Sequence, residues 1–186
     1  MKKITLIIVF LSAAIVGFSQ KKTNVSYKPS NVATGIEKTI PEEIKGTWMY
    51  GNFSTTEYWS TAPRNYLGNA LTFAIAFTFN ADGTYEHYFT SSSVLAGSTI
   101  YHQSVTKGTF KVDESTKSIT TTPLSSHYKR TKMGITEEDR DLTKKEVSGL
   151  TTYTYKKGKE PNGTEAIYLT LQGTSSPLTF LKKALR

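Results

Sequence analysis

Leu71-Thr72-Phe73-Ala74-Ile75-Ala76-Phe77-Thr78-Phe79 carries a large apolar side chain at every odd position and Thr or Ala at every even one. Successive side chains of an extended chain point to opposite faces, so this run predicts a strand with one face in a core. A helix would scatter the same residues round its circumference. Asn80-Ala81-Asp82-Gly83 then supplies turn chemistry, and Thr84 to Thr90 is expected to return as a partner strand.

The rest of the chain repeats this grammar. Lys45 to Tyr50 is expected to be the first strand, after a short helical turn at Pro41-Glu42-Glu43-Ile44 with Pro and acids at its start. Ser91 to Ser98 is read as a loop, and a strand from about Thr99 to Val112 follows, broken at Gly108 by a bulge. Asp113 to Lys117 turns back into Ser118–Thr121, Leu150–Lys156 pairs with Glu165–Leu171, and Pro177–Lys182 is the last strand. Thr136-Glu137-Glu138-Asp139 offers a cap and early acids, with Lys144 and Lys145 later, so Thr136 to Val147 predicts a helical excursion. Strands at hairpin spacing predict an all-β fold: an antiparallel up-and-down barrel of about eight strands. Its interior is expected to hold Phe73, Ile75, Phe77, Phe89, Phe110, Tyr153, Ile167, Leu169 and Phe180. With 11 Tyr and 9 Phe but no Cys, stability must come from burial and strand pairing.

The first residues, Met1-Lys2-Lys3 before the apolar run Ile4–Val16 and Gly17-Phe18-Ser19, read as a secretory signal over residues 1–19. No cysteine follows to accept a lipid, and the apolar run falls short of the ~20 residues of a membrane span. Export is therefore expected, to the periplasm, the outer-membrane surface or the medium, with no span in the mature chain. Residues 20–39, rich in Lys, Thr, Asn, Ser and Pro, read as a flexible linker, leaving 40–186 as one domain. The formal charge of +8 comes from lysines spread along the chain and partly offset by Glu137, Glu138, Asp139 and Asp141. That pattern predicts a solvated surface, no nucleic-acid partner and a monomer.

Gly46-Thr47-Trp48, opening the first strand after a helical turn, resembles the Gly-x-Trp signature of lipocalins. The stretches Leu71 to Tyr85, Lys107 to Val112 and Ile167 to Leu171 follow in the order of secreted bacterial lipocalin-like domains, and the resemblance covers about residues 40 to 186. It implies that Trp48 closes the floor of a barrel. No Thr-Asp-Tyr triplet lies between strands, and no arginine matches the one that packs on the floor tryptophan.

Pairing Phe89 with Ile100 would set Tyr88 opposite Tyr101 and His87 opposite His102, bringing two imidazoles onto one inward face. Two neutral imidazoles can ligate a metal, but no third ligand is evident, so neither a metal nor a cofactor is assigned. Ser91, Ser92 and Ser93 lie near His87 and Asp82 without a strained nucleophile elbow, and the acids at 137–141 read as solvent-facing. No catalytic residue is assigned and no enzyme is expected. The expected function is non-covalent binding of a small, mainly apolar ligand inside the barrel by Trp48, Phe73, Phe77, His87, Phe89, Tyr101, His102 and Tyr153. The alternative is an envelope structural or interaction module with a filled barrel, binding protein or glycan through loops Asn52–Gly68 and Thr131–Gly149. Trp59 is the aromatic residue of those loops suited to stacking on a sugar.

Overall fold

The computed structural model describes residues 40–51, 58–59 and 73–183. The segments read as signal, linker and most of the Asn52–Gly68 loop lie outside them. The described chain is all-β: β1 (Gly46–Tyr50), β2 (Phe73–Phe79), β3 (Thr84–Leu95), β4 (Ser98–Asp113), β5 (Ser118–Lys132), β6 (Ile135–Asp141), β7 (Thr151–Lys159), β8 (Glu165–Leu171) and β9 (Leu178–Lys183), with a single-turn helix α1 (Lys144–Val147). All pairings are antiparallel. Each strand pairs with its neighbour in sequence except where β5 joins β7 and β9 joins β1, so eight strands form a closed ring and β6 lies outside it.

The ring closes with a stagger. Followed across the sheet, His127 pairs Val105, then Tyr88, Ala76, Met49, Leu181, Ala166 and finally Gly158. Gly158 lies beyond Thr154, the residue that pairs with Ser118, so the path returns to β5 far from where it started. Such a shear is what lets a twisted sheet close on itself. It also means that β7 meets β5 only over Ser118–Thr121, and the upper half of β5 needs another partner. β6 supplies it, pairing with His127–Lys132.

The inside of the ring holds Ile44, Trp48, Phe77, Phe79, Tyr85, Phe110, Val112, Ile119, Tyr155, Ile167, Leu169 and Phe180, all buried in one cluster. Ile75, Tyr153 and Leu178 pack against it half-buried, whereas Phe73, expected in the core, is 41% exposed and stacks on Tyr50 at the rim. A second cluster, Met49, Tyr58, Ala74, Ala76 and Val105, covers the opposite face of β1–β4.

Several local expectations meet the structure. The Pro41 turn is closed by the Ile44 amide on the Pro41 carbonyl at 3.0 Å, and the strands from Leu150 and Glu165 form the hairpin β7–β8. The break at Gly108 is a register shift between Lys107 and Gly108 opposite Pro123. Two expectations fail. Ser91–Ser98 is no loop: β3 runs to Leu95 and turns on Ala96 and Gly97 alone, both at positive φ (49° and 76°), the geometry of a two-residue hairpin turn. The register therefore moves by four residues, placing Phe89 opposite Ser104 and Tyr88 opposite Val105. Thr136–Val147 is not a helix either. Its first part is β6, held by cross-strand pairs such as Arg130–Glu137 at 3.0 Å, and helix survives only as α1. There the Thr143 side chain and Glu146 form a reciprocal cap, one helical turn and no more.

Gly108 permits the close crossing at the bulge. A Cβ there would stand 2.1 Å from the Thr122 carbonyl oxygen and 2.9 Å from the Pro123 Cα, both backbone atoms unable to move aside alone. Gly108→Ala is expected to lower stability by about 1–3 kcal/mol in urea denaturation, the usual cost of overpacking. A substitution at Gly134, which has nothing within 4 Å, tests backbone strain without the clash.

Candidate functional site

Among the described residues the ring is filled at one end and holds a cavity toward the other. At the filled end Trp48 is fully buried and its indole N–H donates to the Ile44 carbonyl at 2.7 Å, so the turn before β1 seals the floor. Lys157 Nζ lies 3.9 Å above the indole centroid and Lys182 Nζ 5.3 Å from it. Lysines from β7 and β9 thus take the cationic position over the tryptophan, and Lys182 is balanced by Glu165 at 2.9 Å. Trp48 lines neither the cavity nor the groove described below.

Toward the other end lies a cavity of about 320 Å³ lined by Ile75, Phe77, His87, Tyr153, Leu169, Leu171, Leu178 and Phe180, with Thr174 and Ser176 at its rim. Alternation on β2, β3, β7, β8 and β9 aims these side chains inward at one level. His87, opposite Phe77 in the register, stacks on it with centroids 4.5 Å apart and planes 28° from parallel. Burial holds the imidazole pKa down to about 4, so it is neutral at pH 7. Burial likewise pushes the Tyr153 phenol up to about 12. The cavity therefore presents an apolar wall with neutral polar groups and no charge.

The expected ligand residues are divided by the structure. Phe77, His87 and Tyr153 meet in the cavity. Phe89 is half-buried opposite Ile75 and Ser104. His102 pairs with Ser91, four residues along β3 from His87, about 13 Å of strand. The two imidazoles share a face without facing each other, and His102 Nδ1 instead meets the Tyr128 hydroxyl at 2.6 Å. Tyr101 packs against the second cluster, on the opposite face from the cavity. Ile75, Leu169, Leu171, Leu178 and Phe180 complete the cavity. Ile75, Leu169 and Phe180 are expected core residues, and only their level in the ring, invisible without the register, makes them lining.

A larger groove of about 590 Å³ lies on the outer face, bounded by Trp59, Tyr88, Val105, Leu124, His127, Asp141, Leu142 and Val147 among others. Tyr58 anchors this side: its hydroxyl donates to the Phe89 carbonyl and accepts from the Ser104 amide at 3.0 Å, sitting between β3 and β4. Trp59 stands edge-on to His127 with centroids 4.9 Å apart. His127 holds Asp141 through Nδ1 and Asp139 through Nε2, each at 2.7 Å, and the Asp141 contact foremost raises its pKa. With both ring nitrogens engaged by carboxylates the imidazole ties β5 to β6. Among the described residues no group of three or more His, Cys, Asp or Glu is arranged to hold a metal ion. No helix there is long and apolar enough to cross a membrane.

Comparison with protein-family models, curated proteins and solved structures finds no match for this chain.

The two histidines move stability in opposite directions with pH. His87, depressed in the fold, binds its proton more readily when unfolded, so stability is lost as pH falls from about 6.5 toward 4. His87→Phe is expected to flatten that acid limb in urea midpoints measured across pH. His127, raised in the fold, contributes most below its unfolded pKa and loses that contribution as pH rises through the folded value. Amide exchange of β6 is expected to quicken relative to β8 on that rise, and His127→Gln should abolish the difference.

Proposed function

We propose that this chain is an exported, lipocalin-like β-barrel that binds a small, mainly apolar ligand non-covalently in the cavity of its ring, without catalysis. The observation that carries the reading is the cavity itself: about 320 Å³, walled by Ile75, Phe77, Leu169, Leu178 and Phe180. That is the lower end of the size range of small-molecule sites, and an apolar wall with few polar groups is their usual chemistry. His87 and Tyr153 are the neutral groups that would orient a ligand, one by its imidazole and one by its phenol. The Trp48 floor supports the family reading, with Lys157 and Lys182 in the role of the cation that packs on it.

A role as an interaction module is favoured by one observation, the outer groove beside Trp59, which is 38% exposed. It ranks second because that groove mixes charges of both signs and shows no convergent set of donors.

The ligand reading is tested by purifying the protein from its exporting host, recording its native mass, and titrating it with an apolar fluorescent probe. A retained small molecule or saturable probe uptake is expected. Ser176→Trp, at the cavity rim, should weaken uptake by about tenfold or more with the fold intact by circular dichroism. Absence of both ligand and uptake would leave the groove as the site.

A further inference from the structure

The stagger of the ring lifts β3, β4, β5 and β6 beyond the other strands as a four-stranded extension. β2 begins at Phe73, opposite Ser91, while β3 continues to Leu95. The end of the extension consists of two tight hairpins side by side: Ala96-Gly97 joins β3 to β4, and Met133-Gly134 joins β5 to β6. They are tied together, the Met133 amide donating to the Thr99 carbonyl at 3.1 Å and the Ser98 hydroxyl reaching the Met133 sulfur at 3.5 Å.

Four large apolar side chains cluster on these tips. Val94 is 47% exposed, Leu95 66%, Met133 72% and Ile135 71%, a concentration of exposed apolar side chains on adjoining tips. By register Leu95 and Ile135 lie on the face that continues the ring interior, Val94 lies on the opposite face, and Met133 occupies a turn. Apolar side chains therefore leave the tips on both faces, beside the polar Ser98 and Lys132. A flat protein partner covers one face of a sheet, whereas a fluid apolar medium receives both.

We propose that these paired tips insert into the surface of a lipid bilayer carrying anionic headgroups. The apolar zone spans the last two or three residues of each hairpin, about 7–10 Å of strand, which matches the depth of about 5–10 Å reached by interfacial segments. Charge agrees with it. Lys132 stands opposite Ile135, and Arg130 two residues behind it. Glu137 is neutralised by Arg130 at 3.0 Å and Glu138 by Arg140 at 2.7 Å, leaving Lys132 without an ion-pair partner among the described residues. Of the formal +8, Lys2 and Lys3 lie in the segment read as a signal, and the exported chain keeps a net positive charge, which favours an anionic surface. The contact is independent of what the cavity binds.

The full chain has no cysteine, so Leu95→Cys carries one environment-sensitive dye at the tip and Glu114→Cys carries it on the exposed turn at the far end of β4. With phosphatidylcholine vesicles containing phosphatidylserine, the dye at position 95 is expected to shift to the blue and to be quenched by brominated lipid, and the dye at 114 to remain as in water. Adding Met133→Ser and Ile135→Ser should weaken the response at 95 about tenfold. An unresponsive dye at 95, or an equal response at 114, overturns the proposal. Equal binding to purely zwitterionic vesicles overturns its anionic part. A shift that grows with protein concentration in the absence of vesicles marks the tip as a contact between copies instead.

Discussion

The stagger with which β5 meets β7 governs the rest of the molecule. Only Ser118–Thr121 pair across that seam, and the remaining length of β5 is left with one open edge. An open edge recruits whatever strand is at hand. Here β6 is bound to it by charge: Arg130 with Glu137 and His127 with Asp139 and Asp141. Pairs so exposed contribute little each to stability. Their sequence role is register, because a strand reading Ile-Thr-Glu-Glu-Asp-Arg-Asp has no apolar face to fix it.

That is why the acidic segment misled a reading from sequence alone. Thr followed by Glu and Asp is the signature of a helix start, and without knowledge of the open edge there is no reason to prefer a strand. The cap does exist, seven residues later, at Thr143 and Glu146. The Ser91–Ser98 error has a similar origin. Serines beside Gly read as a loop, but the decisive turn is the dipeptide Ala96-Gly97, and an Ala at positive φ is not what hairpin preferences suggest. One wrong turn shifts every cross-strand neighbour, so His87 and His102 were expected face to face while each was correctly placed on its side of the sheet. Burial periodicity is robust to such a slip by an even number of residues; geometry between two strands is not.

What was legible follows the same logic. The cavity members Phe77 and Tyr153 lie on strands whose alternation is strong, so their inward direction was clear. Their level along the axis depends on shear, a property of the closed ring and of no single strand. Whether an inward aromatic fills the floor, as Trp48 and Phe79 do, or walls the cavity, as Phe77 and Phe180 do, is decided there.

The even positions of β2 contain a clue of their own. A strand with one face in water ordinarily carries polar residues on that face, yet β2 has Ala74 and Ala76 there, both buried. Small side chains at those positions leave room for Tyr58, whose phenol descends onto the sheet and places its hydroxyl at the Phe89 and Ser104 backbone. A larger residue would lift the phenol out of reach of those groups and strand it, buried and unsatisfied, a loss greater than the bond itself contributes. Burial raises the phenol's pKa, so at neutral pH it keeps its proton and can donate. Among the described residues the sheet is thus packed on both sides over β1–β4. From these strands β3 and β4 continue into the extension that carries the apolar tips.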